Sequence, residues 1–149
     1  MNEPPRRFRV LIVDDNEVFL AAARGWLGTQ PSLDVVGTAS DGEEALAVLE
    51  AMHPDLVLID ALMPGIGGFE TVRRIKAAAA APAVVMLSLH EGSAVEHEAW
   101  MAGADGFVTK SQLHAQLPVL LRELLASSAP ARRGMRPASN FTSTENGGI

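Results

Sequence analysis

The sequence predicts an α/β protein built on a parallel sheet with helices on both faces. Short apolar runs alternate along the chain with segments whose apolar residues recur at helical spacing. Those runs are apolar at nearly every position instead of every second one, as strands buried on both faces are. Acids stand where two of the runs end: Asp14 and Asp15 after Val10–Val13, and Asp60 after Leu56–Ile59. If the two strands are neighbours in a parallel sheet, their carboxyl ends open on one rim and the three carboxylates converge. Converging carboxylates repel one another, so the cluster calls for a cation or for raised pKa values. Oxygen-only ligands suit a hard ion such as Mg²⁺.

Phe8–Val13 reads as the first buried strand. Glu17–Leu27 follows as a helix, with Val18, Leu20, Ala23, Trp26 and Leu27 at roughly helical spacing. Asp34–Ala39, rich in β-branched residues, is the second strand. Gly42–Met52 places Ala45, Leu46, Val48 and Leu49 on one helical face, and Pro54 separates it from a third strand, Asp55–Asp60. The next helix is expected over Phe69–Ala80, running through alanines of high helix propensity and ending before Pro82. Ala83–Leu87 is a strand, Ser93–Ala102 a helix closed by Gly103, and Asp105–Thr109 the last strand. Gln112–Leu125 is the last helix, in which Pro118 either occupies the first turn of a helix starting near Gln116 or kinks a longer one.

The domain is expected over 8–126, after a flexible N-terminus of residues 1–7. Residues 127–149 turn to Ser, Ala, Pro, Arg, Gly and Asn without periodicity and read as a disordered tail. A chain of 149 residues that is 48% hydrophobic has the material for one well-packed domain. Its net charge of −6 argues against a nucleic-acid surface, which carries a basic excess. Zero cysteines exclude disulfides and thiolate metal sites and fit a cytoplasmic location. No apolar stretch approaches the roughly 20 residues that span a bilayer, and no signal-peptide pattern follows the N-terminus.

In open α/β sheets, ligands bind outside the carboxyl ends of the strands. The residues that follow the strands here are Asp14 and Asp15, Asp60, Ser88 and Lys110. Together they make a charge-balanced site for Mg²⁺ and a phosphoryl group.

That ordered set resembles the receiver domain of two-component response regulators. Asp14-Asp15 is similar to the family's acidic pair, and Asp60-Ala61-Leu62-Met63-Pro64-Gly65 to its phosphoacceptor loop. Ser88 matches its switch hydroxyl, and Gly103-Ala104-Asp105-Gly106-Phe107-Val108-Thr109-Lys110 its final strand and lysine. The likeness spans Arg9 to Ala126. Its wording at Val35-Val36-Gly37 and Asp41-Gly42-Glu43-Glu44-Ala45 is nearest to receivers of DNA-binding LuxR-type regulators.

The resemblance implies a doubly wound, flavodoxin-like parallel sheet of five strands in the order 2-1-3-4-5. It also implies roles. Asp60 is the phosphoacceptor, receiving a phosphoryl group from a histidine kinase or phosphotransfer protein. Mg²⁺ is held by Asp15, by Asp14 largely through water, by Asp60 and by the backbone carbonyl of Leu62. Lys110 pairs with Asp60 before transfer and with the phosphoryl group afterwards, while Ser88 and Phe107 form the switch. Such a chain is a self-phosphorylating and self-dephosphorylating phosphoacceptor, not a metabolic enzyme. It acts through contact with an output protein, as a monomer or a homodimer, without nucleic acid or membrane. Since nothing resembling an effector module follows Ala126, the expectation is a single-domain regulator. The alternatives are a receiver truncated from a DNA-binding regulator and a phosphorylation-independent docking module.

Several positions depart from the family pattern. Leu62 stands where a polar residue is common, Leu89 where a small one is usual, Phe107 for a frequent tyrosine, Gly67 for an aspartate and Ser111 for a proline. Two plainer readings sit beside these. Asp14 or Asp15 can act as a helix cap, and Phe107 can be a permanently buried core ring. Gly65, Gly67 and Gly68 fit no Walker or dinucleotide pattern and read as loop freedom.

Overall fold

In the computed structural model, residues 7–126 are described, so the expectations for residues 1–6 and 127–149 lie outside the described residues. Strands β1 (Phe8–Val13), β2 (Leu33–Ala39), β3 (Leu56–Asp60), β4 (Ala83–Ser88) and β5 (Gly106–Thr109) alternate with five helices. These are α1 (Glu17–Leu27), α2 (Gly42–Met52), α3 (Gly67–Lys76), α4 (Ser93–Ala102) and α5 (Leu113–Ala126), the last preceded by a 3₁₀ turn over Lys110–Gln112. All strand pairs are parallel, in the order β2-β1-β3-β4-β5. The fold class and strand order are therefore those expected.

Successive residues of each strand point to opposite faces and so feed two cores. Leu11, Val13, Val57 and Ile59 pack with Ala45 of α2, Val72 and Ile75 of α3 and Ala99 of α4. Val10, Ile12, Leu56 and Leu58 pack on the other side with Ala23 and Leu27 of α1 and Leu113, Leu117 and Leu121 of α5. The strands β3 and β4 are buried at every position, which explains their unbroken apolar sequences.

Two local expectations are corrected, and the alternative left open at Pro118 is decided. Val18 does not belong to the buried face of α1: it is 80% exposed, and the stripe runs through Phe19, Ala23, Trp26 and Leu27 at spacings of four, three and one. Helix α3 starts two residues before the expected Phe69 and stops at Lys76, so Ala77–Ala80 lie outside it. Those alanines are exposed. A high propensity with no face to bury does not hold a helix against the turn that delivers Ala83 to β4. Finally, α5 does not start near Gln116, because Pro118 lies inside it. Leu113, Leu117 and Leu121 form a buried stripe that begins before the proline, and their burial outweighs the roughly 3 kcal/mol that a proline costs in a helix interior.

At the amino ends of β4 and β5, Asp105 ties three elements together. Its carboxylate accepts from the Lys76 ammonium at 2.8 Å and from the Val84 N–H at 2.9 Å, while its own N–H donates to the Val84 carbonyl at 2.7 Å. Lys76 also donates to the Pro82 carbonyl at 3.0 Å.

Candidate functional site

Strand register brings the expected residues to one rim. Val13 pairs with Ile59, Asp60 with Leu87, and Ser88 with Thr109. Asp14 therefore follows β1 just where β3 ends in Asp60, and Lys110 follows β5 on the far side of β4.

Asp14 is fully buried. One carboxylate oxygen accepts from the Asn16 N–H at 2.9 Å. The other has no aligned hydrogen-bond donor and faces the Lys110 ammonium 2.6 Å away. Neither Asp14 nor Asp15 caps α1; Asn16 does, accepting from the Val18 and Phe19 N–H groups at 3.0 and 3.1 Å. The two acids are thus left to the rim, Asp14 buried and Asp15 exposed. Asp14, Asp15 and Asp60 each present a carboxylate oxygen, and these oxygens lie within 4.8 Å of one another.

Asp60 is 7% exposed. Burial and the neighbouring Asp14 charge push its carboxyl from 3.8 up to about 6, with a smaller push from Asp15. The Lys110 ammonium and a hydrogen bond from the Leu62 backbone oppose the rise. Lys110 lies 3.7 Å from Asp60, so its nearer acid is Asp14 and not Asp60. The loop after Asp60 closes tightly. The Ala61 N–H donates to the Leu87 carbonyl at 2.8 Å, and a Cβ at Gly68 would stand 2.2 Å from the Asp60 carbonyl oxygen and 2.7 Å from that of Ala61. Gly68 therefore serves close approach of α3 to the Asp60 loop, whereas Gly65 and Gly67 supply positive φ angles of 78° and 81°.

Ser88 is buried, and its hydroxyl is held within its own loop. It donates to the His90 carbonyl at 2.7 Å and accepts from the His90 N–H at 3.3 Å. Phe107 is half-buried against the core shared by α2, α3 and α4. Leu62 and Leu89 are 69% and 66% exposed, so neither is a core residue. None of the four histidines joins the acid cluster. Sequence reasoning missed Phe19, whose ring centroid lies 4.5 Å from the Lys110 ammonium. Its spacing to Ala23, Trp26 and Leu27 was the signal that placed it on the inward face.

The residues fit a divalent cation. The donor set is oxygen only, three carboxylates share one small volume, and one buried Asp14 oxygen has only an ammonium as counter-charge. No helix among the described residues is long and apolar enough to cross a membrane.

Residues 10–122 match the family described as the response regulator receiver domain. The chain is 36% identical over 115 residues to Response regulator UvrY of Escherichia coli O157:H7, covering 77% of this chain and 53% of that protein. It is 39% identical over 135 residues to Protein-glutamate methylesterase/protein-glutamine glutaminase 2 of Cereibacter sphaeroides, covering 88% of this chain and 37% of the relative. Among solved structures, a two-component response regulator of the LuxR family from Aurantimonas sp. SI85-9A1 superposes with a TM-score of 0.75 at 34% identity. The match covers 88% of this chain and 91% of that one. The chain thus spans about half the length of the matched response regulator and about two fifths of the methylesterase's.

Proposed function

Because the chain belongs to the response regulator receiver family, we propose that Asp60 accepts a phosphoryl group from a phosphohistidine on a histidine kinase or phosphotransfer protein. The observation that carries this reading is the convergence at one rim of a nearly buried Asp60, two further acids and the Lys110 ammonium.

The Asp60 carboxylate attacks phosphorus, the P–N bond to the donor imidazole breaks, and an aspartyl phosphate forms. Asp14, Asp15, Asp60 and the backbone carbonyl of Leu62 would hold Mg²⁺, which when bound supplies positive charge beside the transferring phosphoryl oxygens. Lys110 supplies the protein's own positive charge at the same place. At about 4 Å and an effective dielectric near 20, a unit charge pair is worth on the order of 4 kcal/mol before desolvation. The Leu62 N–H fixes the Asp60 carboxylate. Ser88 leaves its bond to the His90 carbonyl to donate to the phosphoryl group, and the space it vacates admits the Phe107 ring. The repacked face around α4 and β5 then binds the output protein, which is the signal.

The test is incubation with acetyl phosphate and Mg²⁺ followed by intact mass measurement. One added phosphoryl group on the wild type and none on Asp60→Asn supports the reading. No adduct with acetyl phosphate or with a phosphorylated phosphotransfer protein overturns it in favour of a docking module, whose exposed feature at the rim is the pair Leu62 and Leu89.

A further inference from the structure

We propose that Phe19 is a positioning residue for Lys110: its ring forms the third wall of a cage that keeps the ammonium desolvated and aimed along the line from Asp14 to Asp60. The inference rests on the phosphoacceptor reading of Asp60 given above.

The Lys110 side chain is 9% exposed, with Asp14 at 2.6 Å and Asp60 at 3.7 Å. Both contacts pull it toward the sheet. An ammonium on a flexible four-carbon stem, held by two unequal carboxylates, can close onto the nearer one or tip outward to recover hydration. Closing onto Asp14 takes the charge from the phosphoryl position, and tipping outward exposes it to water. The face of Phe19, 4.5 Å from the ammonium, attracts the cation from the side of α1. It takes no proton and offers no competing hydrogen bond, so the ammonium can move from the carboxylates to a phosphoryl oxygen while keeping this contact.

Position 19 is fixed at its backbone and at its ring. Asn16 caps α1 and accepts from the Phe19 N–H itself at 3.1 Å. The ring packs against the core shared by α1 and α5. Lys110, for its part, opens the 3₁₀ turn that leads from β5 into α5. The aromatic wall thus belongs to α1, the charge it serves to the turn that leads into α5, and the acids to the rim of the sheet.

The test combines ring substitution with a cycle through Lys110. Phe19→Leu keeps an apolar side chain of similar bulk and removes the ring face. With acetyl phosphate and Mg²⁺ it lowers the phosphorylation rate about 3- to 30-fold, the range expected for loss of a desolvated cation–ring contact. Phe19→Tyr, which restores the ring, recovers most of that loss. In a Lys110→Met background, Phe19→Leu has no further effect. Wild-type rates for Phe19→Leu, a Tyr variant as slow as the Leu variant, or an equal loss in the Lys110→Met background each overturn the proposal.

A second readout needs no phosphorylation. Only two lysines occur in the chain, Lys76 and Lys110, so lysine-labelled protein gives two ε-methylene NMR signals. The Lys110 signal lies upfield of that of Lys76 through the ring current of Phe19. In Phe19→Tyr it stays there. A Lys110 signal at the ordinary lysine position in the folded wild type overturns the cage. If the wild type takes up no phosphoryl group while the upfield signal is present, the phosphoacceptor reading fails and the contact stands. If phosphorylation proceeds without the upfield signal, the phosphoacceptor reading stands and the role of Phe19 fails.

Discussion

Replacing Asp60 with asparagine removes one charge from a cluster in which ionisation is opposed, so the variant gains stability in metal-free buffer. The carboxyl stands near 6 in the folded chain against 3.8 as its ordinary value, a rise already net of the attraction from Lys110. A folded pKa above the unfolded one means the native state holds a proton that the unfolded state has released. Stability from this group is therefore complete below the unfolded value and is lost as pH climbs through about 6. Two units correspond to about 3 kcal/mol at most. Side-chain rotation and water at the open mouth reduce this, so Asp60→Asn gains about 1–3 kcal/mol near pH 8, a Tm rise of roughly 4–12 °C for a domain of this size. The assay is thermal unfolding followed by circular dichroism in EDTA across pH. The gap between variant and wild type should halve near about pH 5 and close below about pH 4. A variant no more stable than wild type near pH 8, or one whose advantage is equally large in acid, refutes the argument that this carboxylate is ionised against its surroundings.

Three further outcomes follow from the site. Ser88→Ala is phosphorylated on Asp60 but loses one charge-assisted hydrogen bond in the phosphorylated state. The equilibrium constant for the switched form falls about 10- to 100-fold, read as a smaller phosphorylation-dependent NMR shift at Phe107; a shift of wild-type size removes Ser88 from the coupling. Gly68→Ala drives a methyl group onto the Asp60 and Ala61 carbonyl oxygens and costs at least about 2 kcal/mol in urea unfolding, whereas a loss under about 0.5 kcal/mol would show that α3 backs away freely. Leu62→Asn gives the attacking water a hydrogen-bond partner and speeds loss of the aspartyl phosphate about fivefold, the effect of one such bond. Time courses of intact mass check this, and decay curves superimposable on wild type refute it.

The alternation of apolar runs with helical periods made the sheet legible, because strands buried on both faces leave no room for polar residues. The order of the strands was not legible from period or composition and came from the family resemblance, since register is a property of pairs of strands. The convergence of Asp14, Asp15 and Asp60 follows from parallel geometry once β1 and β3 are neighbours, yet the nearer partner of Lys110 does not. A flexible ammonium chooses among acids by fractions of an ångström that no spacing encodes. Val18 fits the loose helical spacing of α1 as well as Phe19 does, because a stripe counted loosely tolerates a shift of one residue, and only packing separates the two. The alanines after Lys76 carried propensity without a surface to cover, and Pro118 carried a breaker's signature inside a leucine stripe strong enough to override it. In both cases packing decided against local preference. Gly68 looked like freedom and proved to be proximity, a distinction that only the opposing carbonyl oxygens make.

The knot of Lys76, Asp105, Val84 and Pro82 lies at the end of β4 and β5 remote from the acid rim. It clamps the root of this part of the sheet, while pairing of the two strands runs on to Ser88 and Thr109 at the rim. With the root held in register, a movement of Ser88 of the kind proposed above would have the exposed loop after it and α4 as its outlet. The two strands that carry Ser88 and Phe107 can answer a small event at their ends without loosening the middle of the protein.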